Sequence, residues 1–255
     1  MNHSFRVSKL FAGLLACSAL LLLVNDASAQ DAKNKAKKKR APSPVLAQIE
    51  DVPGLPRVLL IGDSISIGYT VPVRELLQGK ANVHRPSVNC GPTTTGIASL
   101  DQWLGEGKWD LIHFNWGLHD LKYMGPEGQN LQDPKDPTSR QQVPPNEYEK
   151  NLRQLVQRLK NTGAKLIWRN TTPVPAGSAG RSQEDGAKYN AIAAKVMKEN
   201  DIEIHDLHAF VEPRMSEIML PNGNVHFTAE GSDALAAEVV SVISQSLDLA
   251  PQPVK

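Results

Sequence analysis

Cysteine is nearly absent from this chain: of 255 residues only Cys17 and Cys90 carry a thiol. Cys17 falls in an amino-terminal segment expected to be removed, so a disulfide framework is excluded and the fold must rest on an apolar core. Cys90 has no paired base at a recognisable spacing and reads as a small buried hydrophobe. An excess of one charge is also lacking, since the formal net charge is +1, and a nucleic-acid partner has no support beyond one short basic stretch. No Gly-x-Gly-x-x-Gly and no Walker-type lysine follows the first apolar strand, which speaks against a nucleotide site. His205 and His208 flank Asp206 without a further ligand set at a fitting spacing, so neither a metal nor another cofactor is expected.

Long apolar runs are scarce as well. The longest, residues 10–24, is shorter than the about 20 residues a membrane helix needs. Arg6 and Lys9 precede it and Ala27-Ser28-Ala29 closes it, the pattern of a secretory signal peptide over residues 1–29. Leu14-Leu15-Ala16-Cys17 loosely matches a lipoprotein cleavage site, but apolar residues continue past Cys17, so the expectation is an exported protein, periplasmic or secreted, rather than a lipid-anchored one. Residues 30–53 form a basic linker that carries Lys33, Lys35, Lys37, Lys38, Lys39 and Arg40. A solvated spacer is the simpler reading, with contact to an anionic surface the alternative.

What remains, residues 54–250, is enough for one domain with one core. The run Val58-Leu59-Leu60-Ile61 reads as a buried parallel strand that empties through Gly62-Asp63 into Ser64. Further strands are expected over 81–88, 109–114, 165–169 and 202–204. Helices are expected over 71–77, after Thr93, from Asn146 with Glu149 in capping-box spacing, from Ser182 and Asp185, and from Thr228 to about 247. Residues 121–145 make an irregular stretch too long for a plain connection. Strands alternating with helices imply an α/β fold, a three-layer α/β/α sandwich around a five-stranded, flavodoxin-like parallel sheet. In such a fold the loops that leave the strands share one edge, which collects Ser64, Gly91 and His119.

Four segments in order, Gly62-Asp63-Ser64, Asn89-Cys90-Gly91, Gly117-Leu118-His119-Asp120 and Val225-His226-Phe227-Thr228, give the chain a pattern that resembles the SGNH (GDSL) hydrolases, esterases and lipases that remove acyl groups. The resemblance covers residues 57–249. It implies Ser64 as nucleophile and His226 as its base, with oxyanion donors from the Ser64 and Gly91 backbones and from a side chain at position 119. Two positions depart from the family pattern. His119 stands where the family has asparagine; a neutral imidazole still offers one N–H, with Asp120 or a backbone carbonyl as the candidates to fix its tautomer. Gly223 stands where the family has the aspartate that orients the histidine, three residues before it. That leaves a Ser-His dyad, a pair oriented by Asn222 or Asn224, or a carboxylate from elsewhere such as Asp206. Asn115 is a weaker substitute donor. Trp116 is a candidate for stacking on a sugar, the other tryptophans are assigned to the core, and Arg181 reads as a solvated charge, with contact to an anionic substrate the alternative. The resemblance and the signal peptide together imply an exported serine esterase without cofactor, acting on a small-molecule or carbohydrate ester, foremost an O-acetyl group on carbohydrate. A lipid acyl esterase or lysophospholipase, and a non-catalytic glycan-binding protein on the same fold, are the alternatives.

Overall fold

The computed structural model describes residues 43–249. The expected signal peptide and most of the basic linker lie outside the described residues. In chain order the elements are β1 (Arg57–Ile61), α1 (Ser64–Leu76), β2 (Asn82–His84), α2 (Thr93–Leu104), β3 (Leu111–Phe114), β4 (Tyr123–Met124), β5 (Arg140–Gln141), α3 (Pro145–Lys160), β6 (Lys165–Arg169), α4 (Gln183–Lys198), β7 (Glu203–His205), α5 (Leu207–Val211), α6 (Met215–Ile218) and α7 (Ala229–Ser246).

β1, β2, β3, β6 and β7 make one sheet in the order β2-β1-β3-β6-β7, and every pair in it is parallel. This is the flavodoxin-like order, with the chain turning back at β1. The strands are short and apolar on both faces: Val58, Leu59, Leu60 and Ile61 of β1 and Leu111, Ile112 and Phe114 of β3 are all buried, each contributing about 1.5–3 kcal/mol by leaving water. Helices cover both faces, α1 beside α7 on one side and α2, α3 and α4 in a row on the other. The α1–α7 contact is close: a side chain on Gly68 would meet Ser232 Oγ at 3.2 Å.

Several elements differ from the sequence reading. The first helix starts at Ser64 and carries Pro72 inside it. Asp63 accepts the Ile65 N–H at 3.0 Å, so a cap inside the Gly-Asp-Ser turn nucleates the helix earlier than its apolar periodicity shows. The second strand shrinks to Asn82–His84. No capping box forms on α3, whose N-cap is Pro144; Glu149 pairs instead with Arg153 and Lys195. The stretch 121–145 is not wholly irregular, because β4 and β5 pair antiparallel within it. Residues 43–53 are packed on the body rather than linker-like. Arg74 donates to the Pro44 carbonyl at 3.0 Å, Asn82 brackets the Val52 backbone at 2.9 and 3.0 Å, and Asp51 pairs with Arg57 at 2.7 Å.

Asp120 ties the third motif to the second. Its Oδ1 accepts the Thr93 N–H at 2.8 Å and the Thr93 hydroxyl at 2.6 Å, so a carboxylate from a distant loop caps the start of α2. Burial pushes the Asp120 carboxyl up to about 7, against the opposing effect of the Thr93 hydrogen bonds. The native state therefore holds this proton more tightly than the unfolded chain, whose aspartates titrate near ~3.9. The stabilisation is complete below that value and is lost as pH rises through about 7. Asp120→Asn keeps an oxygen for Thr93 and removes the titration. Its unfolding free energy, measured in urea, is expected to gain on wild type between pH 4 and 8 by about 1–4 kcal/mol; a gap independent of pH would count against this.

Candidate active site

Ser64 and His226 are 162 positions apart in sequence, and His226 Nε2 lies 2.9 Å from Ser64 Oγ. Two local designs bring them together. Ser64 is the first residue of α1, right after its Asp63 cap. His226 precedes the Thr228 cap of α7, where Thr228 Oγ1 accepts the Gly231 N–H at 3.0 Å. The loop holding His226 is pinned from both sides. Leu220 N–H donates to the His226 carbonyl and Thr228 N–H to the Ile218 carbonyl, both at 2.9 Å, and Ser178 Oγ donates to the Gly223 carbonyl at 2.6 Å.

The tautomer of His226 follows from its neighbour. Asn224 Oδ1 accepts the His226 backbone N–H at 3.0 Å, which identifies that atom as the amide oxygen. The same oxygen lies 2.8 Å from His226 Nδ1, so Nδ1 must carry the hydrogen. Nε2 is then left with a lone pair facing the Ser64 hydroxyl, the form a general base requires. Of the two asparagines named as orienting candidates, Asn224 reaches the ring. Asn222 occupies the turn at φ +61° and makes no hydrogen bond to it. Asp206 is committed elsewhere, capping α5 through Ala209 N–H at 3.1 Å and accepting from Asn170 at 3.0 Å.

Gly91 lies at φ +59°, a left-handed conformation that glycine adopts without penalty. The Cys90 N–H donates to the Gly62 carbonyl at 3.3 Å and pins this loop beside the Ser64 turn. Asn89 Oδ1 holds the Gly91 N–H at 2.9 Å, so an incoming carbonyl oxygen would compete with that side chain for the donor. The Ser64 N–H is one of the orphan donors of the first turn of α1. Cys90 is fully buried, and burial pushes its thiol up to about 11, so it is no nucleophile at neutral pH.

His119 is half-buried at the end of the Gly117 loop and lines a cleft of about 210 Å³ together with Ser64 and His226. Burial holds its pKa below the ordinary histidine value against the opposing field of Asp63, and Lys122, Arg181 and His226 push it further down. At neutral pH it is a neutral ring with one N–H. Asp120 does not orient it: its Oδ1 serves Thr93 and its buried Oδ2 has no hydrogen-bond partner among the described residues. Asn115 is no substitute donor: its oxygen accepts from Arg169 at 2.6 Å and its amide donates to the Arg169 carbonyl at 2.7 Å. Trp116 is wholly buried, against Gly96, where an added Cβ would lie 2.8 Å from the indole, so it cannot stack on a ligand. Arg181 is not simply solvated, since its Nε donates to the Leu118 carbonyl at 3.1 Å and it lines the cleft beside Lys122, Asn130 and Leu131. The last three escaped sequence reading because nothing in a loop of mixed composition marks them. His205 is buried against His113, with ring nitrogens 3.1 Å apart.

A hydroxyl hydrogen-bonded to a base of fixed tautomer, on the carboxyl edge of a parallel sheet, is the working core of an ester-bond hydrolase. The chain belongs to the GDSL-like lipase/acylhydrolase family, whose model matches residues 60–234. A search of curated proteins finds no match. Among solved structures, a lipase/acylhydrolase from Enterococcus faecalis is similar at 18% identity and a TM-score of 0.61, over 78% of this chain and 100% of that one. An acetyl xylan esterase, AlAXEase, is similar at 16% identity and 0.56, over 73% and 99%. An acetyl-xylooligosaccharide esterase from Geobacillus Stearmophilus, solved as a mutant, is similar at 17% identity and 0.58, over 78% and 97%. At these identities the likeness is one of fold.

Donation by His119 has a direct check. If its N–H serves the oxyanion, His119→Ala lowers kcat on an aryl acetate by about 100-fold with little change in KM, and His119→Asn restores most of it. An alanine variant with unchanged kcat would leave only the backbone donors.

Proposed function

We propose that this protein is an exported serine esterase that removes an O-acetyl group from carbohydrate through Ser64 and His226. The observation that carries the chemistry is the chain of contacts from Ser64 Oγ through His226 to Asn224, 2.9 and 2.8 Å long. As Ser64 Oγ attacks the ester carbonyl, Nε2 takes its proton. The carbonyl oxygen becomes an oxyanion facing the Ser64 and Gly91 N–H groups and the His119 ring. The intermediate expels the sugar alkoxide, which receives the proton back from His226 and leaves as the free alcohol. A water deprotonated by the same ring then cleaves the acetyl-serine and restores both groups.

Asn224 performs half of the usual acid's task. It fixes ring and tautomer but brings no negative charge to balance the imidazolium, so turnover is slow for the class. Support for an acetyl ester comes from the two acetyl esterases of like fold and from the cleft itself. Its about 210 Å³ is smaller than the about 300–1,000 Å³ that encloses a drug-sized ligand. A short acyl group fits that volume better than a lipid chain. Export rests on the sequence of residues 1–29 and is tested by locating the mature amino terminus in fractionated cells.

A fluorophosphonate probe is expected to label wild type and not Ser64→Ala, with hydrolysis of an aryl acetate lost in parallel. Labelling that survives Ser64→Ala would overturn the assignment, and no labelling of wild type would favour glycan binding without catalysis. Asn224→Asp, which adds the missing charge in place, is expected to raise kcat by about 10-fold or more, whereas Asn224→Ala lowers it by a similar factor. Equal rates for all three proteins would show that the ring needs no partner at Nδ1.

A further inference from the structure

The cleft that holds Ser64 is lined by two cationic side chains, Lys122 and Arg181, beside the imidazoles of His119 and His226, and by no carboxylate. The two carboxylates whose fields reach these groups, Asp63 and Asp120, are buried and committed to capping α1 and α2. Lys122 makes no side-chain hydrogen bond or ion pair among the described residues, although it is half-buried. Arg181 is held in place by carbonyls alone, Leu118 at 3.1 Å and Ala179 at 3.4 Å, with no acid in ion-pair range among the described residues. Burial works against both cations, and the Arg181 charge works further against that of Lys122. Two like charges, partly desolvated and gathered with no carboxylate in contact among the described residues, cost the free protein energy that an anionic ligand returns. Ordinary surface lysines and arginines do not pay this, because they spread into water.

Resting on the esterase reading, we infer that the ester substrate carries an anionic oxygen group, a carboxylate or a sulfate, which Lys122 and Arg181 hold while the acetyl group sits at Ser64. For a carbohydrate this means an acetylated acidic sugar rather than a neutral xylan-like chain. Arg181 offers a planar fork suited to two oxygens of one group, and Lys122 a mobile point charge. The pair is a specificity device. It leaves the proton path through His226 untouched and sets which ester is presented to it.

Three aryl acetates of matched shape test this: 4-acetoxybenzoate, 4-acetoxybenzenesulfonate and neutral 4-acetoxybenzamide. At low ionic strength kcat/KM for an anionic ester is expected to exceed that for the amide by about tenfold or more, mainly through KM, the size of one charge-assisted hydrogen bond. The preference should shrink in added salt. A carboxylate preferred over the sulfonate assigns a uronate-like group, and the reverse a sulfated sugar. Lys122→Met is expected to reduce the anionic-to-neutral ratio by about tenfold and Lys122→Arg to keep it. Arg181→Met is the secondary variant, because it also releases the Leu118 carbonyl. Equal kcat/KM for the three esters in wild type, or a ratio unmoved by Lys122→Met, overturns the inference and leaves the esterase standing. Should wild type hydrolyse none of them, equilibrium binding of the same compounds decides. A preference for the anions that Lys122→Met abolishes supports the subsite while the esterase reading falls, and no preference ends the proposal.

Discussion

The Asp63 carboxylate is buried in the turn between β1 and α1, where it accepts the Ile65 N–H at 3.0 Å and faces Arg169 at 3.7 Å. Everything at the site depends on this cap. It begins the helix at the residue after the turn, so that the Ser64 hydroxyl stands at the rim with an orphan N–H beneath it. Arg169 in turn grips Asn115 at 2.6 Å, and the Asn115 N–H donates to the Ile61 carbonyl at 3.0 Å. The ends of β1, β3 and β6 are thereby locked to one another through buried polar groups. Such a network specifies one geometry, because breaking any member strands a charge in the core.

A second constraint is the side-by-side packing of α1 and α7. Their amino termini share the rim, with Ser64 opening one and His226 just ahead of the other. Reactions that develop an oxyanion are favoured there, because both helix dipoles present their positive ends. Lys122 and Arg181 add to the same sign. The rim is therefore electropositive within a chain whose formal charge is +1, and this bears on substrate choice as much as on turnover.

The exchange of an acid for Asn224 separates two tasks that one residue ordinarily performs. Orientation survives, since an amide oxygen fixes the ring as well as a carboxylate does. Charge compensation does not. The loop tolerates this because its shape is held by backbone pairing with residues 218–220 and by Ser178, with no contribution required from an acid.

The sequence by itself determined the alternation of strands and helices, the sheet edge that carries the site, and Ser64, Gly91, His119 and His226 as the residues to look for. These are properties of local pattern, since apolar runs, glycines and caps act within a few residues of where they are written. Tertiary structure alone decided that Asn224 rather than Asn222 or Asp206 meets the imidazole, that Asp120 caps α2 instead of orienting His119, and that Trp116 is sealed in the core. It also decided that Lys122 and Arg181, from two separate loops, converge on the nucleophile. Apart from the Asn224–His226 contact, which is local, these are contacts between segments far apart in the chain, and the direction of a loop side chain is set by whatever packs against it, which no local pattern records.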